Sequence, residues 1–343
     1  MSVKKLSKEG LNRLVDELIR ECRVYGVQSK YGRFDFDVLR SAEDLRLDYD
    51  VTLLPPKKYF QPTTETLLTF EGEGAYKTQY DDEKFILIGV HPYDMVAINQ
   101  MDKLFSMDYY DEHYMRRRCN ATIIAVDVAA ASENVFAASM GMATVREGFD
   151  ILLTDIGNGF TAEAATGKGE KILAKAKTSK EADAQDLKKR EQVWARNEKE
   201  LNKHPLKCKP SEIPGLLERN YRHPVWEEKA ATCFSCGSCN MVCPTCYCFN
   251  VMDRLMWDIK SGERERVWDG CLLDGFTKVA GEHEFRVKRA DRFRHRLYRK
   301  GKYVPEKIGG QMACVGCGRC VGACLPDIAN PVKVYNRLIE DEK

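Results

Sequence analysis

Apolar residues recur along this chain with two different periods, and the change of period marks its organisation. Leu11, Leu14, Val15, Leu18, Ile19 and Cys22 lie three or four apart, the stripe of an amphipathic helix. Cys22 on that stripe reads as core, because a free cysteine packs like a small hydrophobe. FILIGV at 85–90 and the apolar run at 121–128 have strand length instead. Pro92 suits the first position of a helix following the former. ILLTDIGNGFTAEAA predicts two strands turned around Gly157-Asn158-Gly159. Residues 1–177 thus predict a mixed α/β domain, whose strand order the pattern leaves undetermined.

From 178 the apolar pattern thins. Within TSKEADAQDLKKREQVWARNEKELNKH, Leu187, Trp194 and Leu201 stand one heptad apart, too sparse for a coiled-coil seam. This predicts a charged helical linker over 178–215 that docks loosely and ends in Pro205, Pro210 and Pro214. Beyond 216 the helical period returns. Cys248, Met252, Leu255, Met256 and Ile259 fit one helix face, with Gly262 as its stop. Phe293 and Leu297 belong to a second helix ending near Gly301. Asn330-Pro331 caps a last one that buries Val334, Tyr335, Leu338 and Ile339. The fold class expected is α+β, with 216–343 all helical.

Composition changes this picture through cysteine. Of fourteen cysteines in 343 residues, eight fall in two runs: Cys233-x2-Cys236-x2-Cys239-x3-Cys243-Pro244 and Cys314-x2-Cys317-x2-Cys320-x3-Cys324. Each run has the spacing by which bacterial-type ferredoxins wrap a [4Fe-4S] cube, so these eight are the expected metal ligands. Three close cysteines converge on one cluster, and the fourth, one helical turn further, points to the other. One cluster is then expected on Cys233, Cys236, Cys239 and Cys324, the other on Cys314, Cys317, Cys320 and Cys243. Zinc sites usually separate two cysteine pairs by a longer loop. The region 216–343 therefore reads as a helical ferredoxin-like domain, although 70 residues between Cys243 and Cys314 are many for a small ferredoxin.

Cys246, Cys248 and Cys271 are extra thiols. A third cluster on them lacks an evident fourth ligand, Cys208 being a candidate, and the simpler reading packs them beside the two cubes. The basic run Arg286, Lys288, Arg289, Arg292, Arg294, Arg296, Arg299, Lys300 and Lys302 sits in a chain of net charge +2. It reads as cations that stabilise reduced, anionic clusters or face an acidic partner, and not as a nucleic-acid site. No nucleotide fingerprint, phosphate loop or HExxH is present, and the six histidines are scattered. Electrons must then come from and go to other molecules. MSVKKLSKEG lacks the apolar core of a signal peptide, and no stretch approaches a membrane span, so a cytoplasmic location is expected. Two other classes stay open: a reductase acting directly on a substrate, which needs an iron with a free position, and a zinc-stapled interaction module.

CFSCGSCNMVCPTCYCF, RVWDGCLLDGFTKVAGEHEFRVKRADRFRHRLY and CVGCGRC resemble the iron–sulfur subunit shared by sulfhydrogenases, where it is the beta subunit, and anaerobic sulfite reductases. PPKKYFQPTTETLLTF, GVHPYDMVAINQMDKLF and ASMGMATVREGFDILLTDIGNGF extend the likeness from about residue 50. The resemblance implies a cytoplasmic subunit with two [4Fe-4S] clusters on the eight cysteines above. It would pass electrons between an FAD- and NAD(P)-binding flavoprotein and a nickel–iron hydrogenase or sirohaem sulfite reductase. Relatives commonly carry cysteine where this chain has Tyr93, Val128, Val135 and Ala137. These four are therefore expected to pack as ordinary core where some relatives hold metal.

Overall fold

The computed structural model describes residues 3–72 and 74–343. The elements run β1 (Val3–Leu6), α1 (Lys8–Glu21), β2 (Arg23–Lys30), β3 (Arg33–Val38), β4 (Thr64–Glu71), β5 (Ala75–Thr78), β6 (Phe85–Val90) and α2 (Pro92–Ser106). There follow α3 (Glu112–Asn120), β7 (Ala121–Val126), β8 (Ile151–Asp155), β9 (Phe160–Ala164), α4 (Gly167–Lys175), β10 (Lys180–Glu181) and α5 (Ala184–Glu200). The last third holds α6 (Ile213–Arg219), α7 (Val225–Ala231), α8 (Ser238–Met241), β11 (Phe249–Leu255), β12 (Ser261–Trp268) and α9 (Arg289–Tyr298). It closes with α10 (Val304–Lys307), α11 (Arg319–Gly322) and α12 (Pro331–Asp341).

Eight strands form one sheet in the order β10-β1-β9-β8-β7-β6-β2-β3. Its centre, β2, β6, β7 and β8, is parallel, and the flanking strands are antiparallel. Every residue of β6 is buried, as a central parallel strand covered on both faces requires. Pro92 opens α2 as expected, its missing N–H costing nothing in the first turn. Ser7 caps α1 by accepting from Gly10 N, and Leu11, Leu14, Val15 and Leu18 are buried. The mixed α and β content agrees with the α+β expectation.

The helix expected at 248–259 is absent. Those residues form β11 and the turn into β12, so 216–343 is not all helical. The apolar positions that suggested a helix face are exposed: Met252, Leu255, Met256 and Ile259 touch no core. What fixes the strand is a distant partner, since β12 pairs with β4 and completes a second sheet, β11-β12-β4-β5. Asp258 accepts from the backbone of Lys260 and Ser261, tightening the turn, while Arg264–Asp253 and Arg254–Glu263 tie the strands.

The helix holding Phe293 and Leu297 also departs from expectation, running through Gly301 as a π turn (299–303) into α10. Gly301 is needed there for closeness rather than for a stop. A Cβ would meet Leu217, Ile213 and the Tyr335 hydroxyl at 2.7–2.9 Å. α12 begins at Asn330, whose side chain accepts from Val332 and Lys333, and it buries Val334, Tyr335 and Leu338, with Ile339 partly covered. α5 docks more firmly than its sparse apolar residues suggested. The Trp194 indole donates to Asp127 Oδ2 at 2.8 Å, and Arg190 pairs with Glu163 at 2.8 Å.

Candidate metal centre

Both cysteine runs fold alike because both place a left-handed residue before the second and after the second cysteine. Ser235 (φ 52°) and Gly237 (φ 72°) occupy these places in the first run, Gly316 (φ 69°) and Gly318 (φ 77°) in the second. Such backbone suits glycine, and it curls each loop so that consecutive thiols face inward. Gly237 and Gly318 then cap two four-residue helices, α8 and α11, which carry the third cysteines. The surroundings of the two runs differ. A Cβ on Gly237 would meet only the Leu273 side chain at 2.8 Å. One on Gly318 or Gly316 would strike backbone, Asn134 O at 2.3 Å and Ala137 Cα at 2.6 Å.

The thiols line two voids, and each void draws its fourth cysteine from the other run. Cys233, Cys236 and Cys239 share a space of about 720 Å³ with Cys324. Cys314, Cys317 and Cys320 share one of about 420 Å³ with Cys243. Among the described residues, no three His, Cys, Asp or Glu side chains converge on a point that could hold one ion. Sulfurs standing apart around a space are the donor set of a polynuclear cluster, so these residues fit a [4Fe-4S] group. Weak donors reach the sulfurs: Ser235 N lies 3.5 Å from Cys233 Sγ, and the Thr245 hydroxyl 3.4 Å from Cys243 Sγ. Burial pushes Cys239 and Cys314 up to about 12 and raises Cys317 and Cys320. Without metal these thiols keep their protons, so metal binding must displace them.

Part of the basic run faces these voids. Arg296 is buried, and its desolvation is more than offset by the thiols it faces: Cys239 of one void, Cys320 and Cys243 of the other, and Cys271. Lys300, aimed by the π turn, donates to Thr245 O at 2.6 Å and lines the smaller void. Arg292 points elsewhere, pairing with Asp274 at 2.9 Å and donating to Val287 O. Sequence reasoning missed the ties that hold the second run against the large sheet. Arg319 makes a buried two-pronged pair with Asp94 of α2, both contacts 2.6 Å, and also donates to Thr52 O and Oγ1. Phe136 N donates to Gly316 O at 2.8 Å, and Gln100 Nε2 to Met312 O at 2.6 Å. Asp94 and the loop holding Phe136 follow β6 and β7, so the second run lies at the carboxyl ends of parallel strands.

The remaining thiols divide in two. Cys22 bonds Leu18 O within its own helix, Cys119 is exposed, and Cys208 is partly buried beside Glu212. Cys246 and Cys271 are buried near one another around Asn240, with Cys248 beside them. Tyr93, Val128, Val135 and Ala137 are all fully buried, as ordinary packing residues.

A family model described as a 4Fe-4S dicluster domain matches residues 232–328. The chain is 34% identical over 344 residues to the sulfhydrogenase 2 subunit beta of Pyrococcus furiosus, an alignment covering 98% of each.

Proposed function

The chain belongs to the iron–sulfur protein family shared by sulfhydrogenases and anaerobic sulfite reductases, and from that premise we propose that it relays single electrons through two [4Fe-4S] clusters. Cys233, Cys236, Cys239 and Cys324 would hold one cluster, and Cys314, Cys317, Cys320 and Cys243 the other. When bound, each group takes up one electron and gives it back, with no bond to a substrate made or broken. The observation that carries the reading is the exchange of fourth cysteines between the two thiol-lined voids. An exchange of this kind interlocks the sites and brings them close, as an electron relay needs.

The chain's own residues set the environment. Arg296 faces thiols of both voids and favours the more anionic, reduced state at each. Phe136, Lys300 and Pro331 line the smaller void. The partners would be an FAD- and NAD(P)-binding flavoprotein on one side, and a nickel–iron hydrogenase or sirohaem sulfite reductase on the other. Among the described residues no helix is long and apolar enough to cross a membrane, which accords with a cytoplasmic assembly.

Anaerobically purified protein is expected to absorb broadly in the visible and to bleach with dithionite. Cys324→Ser should disturb the cluster of the first run, and Cys243→Ser that of the second, each read by electron paramagnetic resonance. A colourless, zinc-containing protein would sink the reading. So would a Cys324→Ser variant altered only at the cluster of its own run.

A further inference from the structure

The basic run that leads into α9 divides once its members are placed. Arg292 pairs with Asp274 and lies 3.5 Å from Glu284, Arg294 pairs with Asp291, and Lys302 with Glu306. Arg296 and Lys300 are buried and line the smaller void. Lys288 and Arg289 are exposed, and among the described residues neither pairs with a carboxylate. They stand at the amino end of α9, Lys288 as its cap residue and Arg289 as its first, with no side-chain hydrogen bond from the cap. That end of a helix carries partial positive charge, so two cations there oppose the helix and add to its potential. Positive charge is concentrated at one point of the surface at a cost to the fold.

Both cations line an open groove of about 1440 Å³, to which α7 and the start of α9 contribute. Phe234 and Val287 line it too and are 65% and 67% exposed. Two acids border it. Asp274 is taken up by Arg292 at 2.9 Å, which leaves Glu227 against Lys288 and Arg289. The groove adjoins the first cysteine run. Phe234 is a shared wall, lining both the groove and the 720 Å³ void of Cys233, Cys236, Cys239 and Cys324. Arg289 Nη1 donates to Cys233 O at 2.8 Å, which ties the basic edge of the groove to that loop. Apolar side chains thus sit beside free cations, with a cofactor void one side chain behind them. The core of a permanent subunit contact is depleted of charge, whereas free charge beside a small apolar patch steers a transient encounter.

We propose that this groove is the docking site of a transient protein electron carrier whose own docking face is acidic. The proposal rests on the two-cluster relay and adds to it the place and the chemistry of one exchange. Lys288 and Arg289 draw in the carboxylates of the carrier, and Phe234 and Val287 meet the apolar surface over its redox centre. One electron then leaves the reduced carrier, which is oxidised, and enters the cluster of the first run behind Phe234. No bond is made or broken in that step, and the carrier departs.

The test mixes the full chain, purified anaerobically, with a reduced small ferredoxin of strongly acidic surface and follows cluster reduction by stopped-flow absorbance. The rate is expected to fall at least about tenfold as ionic strength rises from about 0.01 M to about 1 M. Lys288→Glu should slow it about tenfold at low salt and Lys288→Gln about threefold, both differences vanishing at high salt. Reduction by dithionite should keep its wild-type rate in both variants. Lys188→Glu makes the same change of net charge on α5, outside the groove, and should leave the ferredoxin rate within about twofold of wild type. A rate independent of salt, equal slowing by Lys288→Glu and Lys188→Glu, or clusters that dithionite reduces and the ferredoxin does not, would each overturn the docking site and leave the relay standing. A dimer of this chain that Lys288→Glu dissociates, seen by sedimentation, would overturn it in favour of a second copy in the groove. A chain without iron, or with no centre that dithionite reduces, overturns the relay itself.

Discussion

At the first cysteine run Cys236 is exposed, and Phe234 and Leu325 stand on the surface at 65% and 90% exposure beside the larger void. At the second run Cys317 and Cys320 are buried, and backbone of 134–137 presses so closely that glycine is required at 316 and 318. The two runs share one spacing and one local fold, yet equivalent positions carry opposite residues. Between the second and third cysteines Ser238 is half-buried, while Arg319 is buried and clamped by Asp94 and Thr52. The spacing defines what is held, and the neighbours of the spacing define which site meets the outside. On the proposed reading, one site is an interior station braced by the large sheet, the other a surface station.

The sharpest way to break this contrast is to remove the brace. Asp94→Asn leaves the Arg319 guanidinium buried without its counter-charge, which costs about 3–5 kcal/mol. The change should lower the unfolding midpoint of the holoprotein and release iron from the second run's site first. Ser238→Ala at the equivalent place should cost less than about 1 kcal/mol. Denaturant titration followed at the visible absorption compares the two. Equal losses would mean that the brace does not distinguish the sites.

A second comparison uses charge. Arg296 faces thiols of both voids, and Lys300 lines only the smaller one. A cation near a cluster favours its reduced form, so removing it lowers the potential. At an intermediate effective dielectric the shift is on the order of 50–100 mV. Arg296→Gln should lower both cluster potentials, whereas Lys300→Met should lower one. Redox titration followed by electron paramagnetic resonance separates the signals. If Lys300→Met moves both equally, the assignment of Lys300 to one void is wrong.

What the sequence disclosed follows from distance along the chain. Eight cysteines in two tight runs are local information, and the lining of each void by one cysteine of the other run agrees with the crossing expected from their spacing. The strands at 85–90 and 121–126 and the caps at Pro92 and Asn330 were equally local. The brace was illegible, because Asp94 and Arg319 are 225 positions apart and neither is unusual in its own segment. The hairpin at 249–268 was hidden for the same reason. Its partner strand β4 lies far upstream, and Met252, Leu255, Met256 and Ile259 satisfy a helical period by coincidence while facing solvent. Gly301 misled differently: it marks the close approach of α6 and Tyr335, not a helix end.

The smallest effect on stability should come from the surface station, and there it separates stability from exchange of electrons. Leu325 and Phe234 line the larger void yet are mostly exposed, so neither contributes much buried area to the folded chain. Leu325→Ser and Phe234→Ser should each change stability by no more than about 0.5 kcal/mol. Exposed apolar side chains at the mouth of a cofactor site are, however, the kind of surface a partner covers. The same substitutions should therefore slow reduction of the first run's cluster by the partner protein several-fold, measured by stopped-flow absorbance. Cluster content and potentials should stay unchanged. An equal slowing in a variant of the exposed hairpin tip, Trp257→Ser, with none in Leu325→Ser, would move the point of electron entry away from the first site. The contrast between an interior and a surface station would then need a different surface.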